Sequence, residues 1–88
     1  MSLNNYRDAV QQFMLKLGDK AFDSPTILTL LEQELATLKA NLTNKTIVDH
    51  QIYDILFLLM ELAVHNQTDL DSAWRAGQER KKKYLEKS

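Results

Sequence analysis

Most of the side chains that could do chemistry lie within residues 50–65: His50, Gln51, Asp54, Glu61 and His65. At about 100° per residue, His50, Asp54, Glu61 and His65 fall within about 60° of one another on a helical wheel. Gln51 lies about 60° from Asp54 on the same projection. A polar stripe on an otherwise apolar helix must be solvated, paired or bound to a metal, because an isolated buried charge is costly. Earlier in the chain Leu30, Glu34, Thr37 and Asn41 form a second stripe. If the two segments pack as antiparallel helices, Glu34 and Asp54 can face each other across the interface. Two converging carboxylates suit a hard cation such as Mg²⁺, which takes oxygen ligands and keeps several waters. The plainer alternative leaves Glu34 solvated and has Asp54 bonded to Tyr53, a Lys or a group of a partner chain, since one acid per helix is a sparse metal signature. His50 and His65 are about four turns apart and cannot chelate one ion by themselves.

The elements that must hold these residues are helical nearly throughout. Tyr6, Ala9, Val10, Phe13, Met14 and Leu17 share one helical face, and Gly18 follows where a C-terminal cap belongs. Residues 18–24 read as a connector. Ser24 is the expected N-cap of a second helix, with Pro25 in its first turn, where the missing N–H costs nothing. Leu28, Leu31, Leu35, Leu38 and Leu42 then recur at spacings of 3, 4, 3 and 4, a packing seam. Thr46 with Asp49 resembles a capping box opening a third helix that reaches about Asn66. The middle of that helix is apolar almost all round, so it must be central, and its second apolar face is expected to bury against another subunit. Thr68 and Asp71 repeat the capping pattern before a fourth helix marked by Leu70, Ala73, Trp74, Gly77, Lys81, Tyr84 and Leu85. Trp74 is expected in the core and Tyr84 as an anchor at the helix end. The expectation is an all-α fold, a small four-helix single domain over 1–88, assembled as a homodimer or homotetramer.

Composition narrows the function. With 88 residues there is room for one core, and a chain this short gains from partner subunits. Two glycines and one proline exclude a Gly-rich phosphate loop and argue against a turn-rich β fold. Without cysteine there is neither a disulfide framework nor a thiolate site. The longest apolar run, residues 55–60, is far short of the roughly 20 residues that span a membrane. No secretory signal is evident at the start, and with the lack of cysteine this fits the cytoplasm. The Asn-x-Thr triplets at Asn41, Asn44 and Asn66 then read as helix ends and caps rather than glycosylation acceptors. No His-Glu-x-x-His or Gly-x-Ser-x-Gly motif supports zinc or serine hydrolysis. The formal charge of −1 conceals an asymmetry: residues 1–74 carry five Lys/Arg against ten Asp/Glu, and residues 75–88 carry six against two.

Four stretches stand out: Leu31-Glu32-Gln33-Glu34-Leu35-Ala36-Thr37-Leu38, Asp49-His50-Gln51-Ile52-Tyr53-Asp54-Ile55-Leu56-Phe57-Leu58-Leu59, Asp69-Leu70-Asp71-Ser72-Ala73-Trp74 and Glu79-Arg80-Lys81-Lys82-Lys83-Tyr84. Together they resemble the MazG-like all-α nucleoside triphosphate pyrophosphohydrolases. The resemblance covers about residues 28–85, and the opening also looks like the first segment of related phosphoribosyl-ATP pyrophosphohydrolases. In that family Mg²⁺ is held by acids of a Glu-Glu-x-x-Glu and a Glu-x-x-Asp motif. The matching positions here are Glu34, Thr37, Gln51 and Asp54. Glu34 and Asp54 keep the acid, while Thr37 and Gln51 depart from it. The resemblance therefore implies metal ligands Glu34 and Asp54, with the Gln51 carbonyl as a weak third. It also implies Mg²⁺ as cofactor and a nucleoside triphosphate as partner, cleaved to monophosphate and pyrophosphate. With two formal charges lost, weak Mg²⁺ binding is expected and the activity is weakened or absent. Glu61 is a candidate to compensate.

Arg80, Lys81 and Lys83 in the basic end can contact phosphate oxygens. Alternatively they are solvated cations favoured by the negative end of a helix dipole. Two further functions compete with the enzyme: a catalytically inactive helical module for oligomerisation or binding, and a nucleic-acid binder. The second is not expected at an isoelectric point near 6.1, which sets an acidic body against the few clustered cations.

Overall fold

A computed structural model describes residues 2–87. Met1 and Ser88, the ends of the expected domain and of its basic stretch 75–88, lie outside the described residues. Among the described residues there are four α-helices, one short 3₁₀ turn and no strand. They are α1 (Leu3–Leu17), α2 (Ser24–Ala40), α3 (Lys45–His65) and α4 (Leu70–Glu86); the 3₁₀ turn is Gly18–Lys20.

Each helix begins at a side chain that satisfies a free backbone N–H. Ser2 accepts from Asn5 N and caps α1. Gly18 ends that helix at φ 61°, a conformation glycine takes without a Cβ clash. Asp23, rather than Ser24, caps α2 by accepting from Thr26 N, so Ser24 becomes the first helical residue. Asn44, rather than Thr46, caps α3 through Ile47 N. Asp69, rather than Thr68, caps α4 through Ser72 N. In all three the cap falls one or two residues from the expected one, on a neighbour whose side-chain oxygen accepts from the N–H three residues on.

As the apolar middle of its sequence requires, α3 is the central helix. α1 and α2 both pack against it, and α4 packs against α1. Val10 and Met14 of α1 meet Met60, with Leu3, Ala21, Phe57, Val64 and Leu70 around them. Ile27 and Leu31 of α2 meet Leu58, flanked by Leu30, Ile55 and Leu62. The leucine seam of α2 is rotated from expectation. Of its members only Leu31 is buried and Leu38 is half-buried, while Leu28, Leu35 and Leu42 stay exposed. Ile27 takes the buried place instead. In a single chain α2 packs chiefly against α3, so only one narrow stripe is covered. Trp74 is likewise outside the core, 60% exposed, because α4 packs mainly against α1 and buries none of its residues.

Candidate functional site

α2 and α3 are joined by residues 41–44 and run antiparallel, which brings Glu34 opposite residues 51–54. Glu34 and Asp54 line one hollow, together with Phe13 of α1, Leu30 of α2, and Tyr53, Phe57 and Leu58 of α3. Its volume is about 410 Å³. Phe13 and Phe57 meet edge-on with ring centroids 5.4 Å apart, and Tyr53 lies 6.1 Å from Phe57. The hollow is therefore lined by two carboxylates and three aromatic rings.

Gln51 is 6% exposed beneath it. Its Nε2 donates to the Glu34 carboxylate, and also to the Glu34 main-chain oxygen at 3.2 Å. An amide can donate where a carboxylate cannot, so Gln51 holds Glu34 by attraction. Asp54 Oδ2 lies 2.9 Å from His50 Nε2, one helical turn earlier. That partner is a histidine rather than the Tyr or Lys considered from sequence, and the i,i+4 spacing is a signal that could have found it. Thr37 is exposed, and its hydroxyl donates to the Gln33 carbonyl at 3.2 Å, back along its own helix.

The rest of the polar stripe lies apart from this hollow. Glu61 is 4% exposed, and burial raises its pKa, opposed by the nearby His65. His65 Nε2 lies 2.8 Å from the Phe22 carbonyl and ties the end of α3 to the segment before α2. Among the described residues no three His, Asp or Glu side chains converge as a metal-holding group. The oxygen donors at the hollow are the Glu34 and Asp54 carboxylates, with the Gln51 amide bonded to Glu34. They are hard oxygen ligands and fit one Mg²⁺ that keeps most of its water, but not a multi-ion cage.

Arg80, Lys81 and Lys83 are exposed on α4. None of them lines the hollow of their own chain, which is built from α1, α2 and α3. Fold and site together define a small all-helical, four-helix domain with a hollow holding two carboxylates against its central helix. No known family model, curated protein or solved structure matches the chain.

Proposed function

We propose that the chain is a MazG-like helical protein whose hollow takes the triphosphate of a nucleoside triphosphate with Mg²⁺, releasing monophosphate and pyrophosphate at a weakened rate. The observation that carries the reading is that Glu34 of α2 and Asp54 of α3 line one hollow, with Gln51 of α3 bonded to Glu34. Bound Mg²⁺ supplies neutralisation of the triphosphate and a lowered pKa for a bound water. The chain's own part is to present Glu34 and Asp54 as ligands, with the Gln51 carbonyl as a weak third. His50 orients Asp54, and its imidazole can accept a proton at that edge. Phe13, Tyr53 and Phe57, set edge-on and tilted to one another, give aromatic surface against which a base can pack. Arg80, Lys81 and Lys83 reach phosphate oxygens from α4 of a second copy, in a homodimer or homotetramer. The reading implies a cytoplasmic location.

One observation favours a second reading. The hydrogen bond from Gln51 occupies a carboxylate oxygen of Glu34 that a metal would need. In that reading the protein is an inactive helical module for assembly or for nucleotide or protein binding. Pyrophosphate release decides between them, measured over the common ribo- and deoxyribonucleoside triphosphates with and without Mg²⁺. Mg²⁺-dependent turnover abolished by both Glu34→Ala and Asp54→Ala is the expected result. A folded sample that releases no pyrophosphate at high Mg²⁺ overturns the enzyme and leaves the module.

A further inference from the structure

The chain carries more surface than a folded monomer of its size. Its accessible area is 6936 Å² at 10.2 kDa, against about 5,300 Å² for a typical monomer of that mass. Its radius of gyration is 15.2 Å, against about 12 Å for a compact domain of this length. Much of the excess is α4. Its early part is tied to α1, where Leu3 N donates to Asp71 Oδ1 at 2.8 Å and Leu70 N donates to Asn4 Oδ1 at 2.8 Å. Beyond those turns it carries an exposed apolar face with Trp74, Tyr84 and Leu85, and a half-buried Gly77 between them.

A matching groove lies between α1 and α3. It has a volume of about 330 Å³ and is lined by Leu3, Tyr6, Ala9, Val10, Tyr53, Leu56, Phe57 and Met60, with no charged side chain. Leu3 and Tyr6 also border a second hollow with Trp74, whose lining includes Ser2 and Asp71. Groove and α4 face are therefore parts of one strip running from α3 across α1 to α4.

From these features we infer that α4 is an arm that seats its apolar face in the α1–α3 groove of a second copy, and receives that copy's α4 in return. This deepens the proposed homo-oligomer without resting on its chemistry. Three arguments commit the groove to a second copy. The strip holds both an apolar ridge and an apolar groove, so a two-fold axis satisfies both at once. The surplus of about 1,600 Å² per chain, buried on both sides, falls in the range of obligate dimers and exceeds that of weak encounters. The arm is basic, six Lys/Arg against two Asp/Glu over residues 75–88, and the body that receives it is acidic, ten Asp/Glu against five Lys/Arg over residues 1–74. Tyr53 and Phe57 belong to both the groove and the carboxylate hollow, so a seated arm brings its cations beside that hollow.

The test uses the full chain without nucleotide or Mg²⁺, so its outcome is independent of pyrophosphohydrolase activity. Sedimentation equilibrium is expected to give twice the chain mass. Emission from Trp74, the single tryptophan, should be shifted to the blue and move to the red on dilution. Tyr84→Glu on the arm and Leu56→Glu in the groove should each raise the dimer dissociation constant by about tenfold or more. Tyr84 is 75% exposed in the single chain, so its variant folds normally, as circular dichroism will show. Leu35→Glu, on the exposed flank of α2 outside the strip, should leave the dimer intact. A monomer at every concentration overturns the inference. So does a dimer that Leu35→Glu dissociates while Tyr84→Glu does not, or one in which Trp74 emits as in water.

Discussion

Gln51 sits where the resembling family carries an acid, and the difference has a physical consequence at that one residue. The Gln51 amide donates to the Glu34 carboxylate in a position with almost no access to water. A glutamate there would bring two carboxylates together, and one of them would have to stay protonated or find a cation. Without metal, Gln51→Glu should therefore cost about 1–3 kcal/mol of stability. Added Mg²⁺ should restore much of that loss, giving a Mg²⁺-dependent rise in Tm larger than the wild type shows. Melts in chelator and in Mg²⁺ check it, and a variant indifferent to Mg²⁺ would remove Glu34 from the ligand set. Glu61 carries a second prediction. Burial raises its pKa, so the folded state holds its proton to higher pH than the unfolded chain does. Stability from that proton is complete at low pH and falls as pH rises through the raised pKa. Glu61→Gln keeps the shape without the charge, so it should raise Tm at pH 7 and give no gain near pH 4. Melts of both proteins at the two pH values read this directly. The sequence pattern placed Glu61 on the face of Asp54, which is correct for a helix. It could not say that the far end of that stripe closes while the near end opens, because closure depends on packing by other helices.

Elements were legible where a local signal dictates them. The four helices, the central place of α3 and the cap at Gly18 follow from apolar spacing and from a residue free to take positive φ. The caps at Asp23, Asn44 and Asp69 were displaced because several capping side chains stand side by side at each start, and spacing alone does not choose among them. The rotated seam of α2 was illegible for another reason: five leucines at seam spacing do not say which of them meets a neighbour. The end of α3 holds a feature that no motif marks. Gln67 takes φ 54°, with Thr68 N bonded to the Ala63 carbonyl at 2.9 Å and Gln67 N to the Val64 carbonyl at 3.2 Å. This paired closure normally places glycine at the left-handed position. Gln67→Gly should relieve the Cβ clash and stabilise the protein by about 1 kcal/mol, raising Tm by roughly 4–8 °C. An unchanged or lower Tm would show that the Gln67 side chain contributes more than the strain costs. At the start of α4, Asp69 is held down from an ordinary 3.8 to about 2, first by the Asn4 amide and then by Ser72. A depressed carboxylate stabilises the fold fully above its unfolded value, and that stabilisation is lost as pH falls through the folded one. The α1–α4 tie should therefore loosen between about pH 4 and pH 2, seen as loss of amide protection at Leu70 and Ser72 before α3 exchanges. Asp69→Asn should remove that acid step.

At the scale of the whole molecule, surface area and charge lead to the same arrangement. Apolar residues that a single chain leaves outside, such as Leu56 in the groove and Tyr84 on the arm, are more than a core of this size can cover. The sequence expressed this as a third helix too apolar for one chain, but it could not identify the arm, because α4 reads like any amphipathic helix until its neighbours are known. If assembly completes the fold, stability is a property of concentration. Tm should rise as the protein is concentrated, since association draws the folded state forward by mass action. The charge asymmetry adds a second dependence. Attraction between a basic arm and an acidic body is screened over about 8–10 Å at ordinary ionic strength and over about 3 Å at 1 M salt. Raising NaCl should therefore weaken the dimer and lower Tm in dilute samples, with little effect in concentrated ones where the dimer is already full. Apolar contact between arm and groove is not screened, so the dimer should loosen with salt rather than vanish. Melts across a grid of protein and NaCl concentrations separate the two contributions. A Tm that ignores protein concentration would mean that the single chain is stable with its apolar strip in water, and the arm would then have no structural work to do.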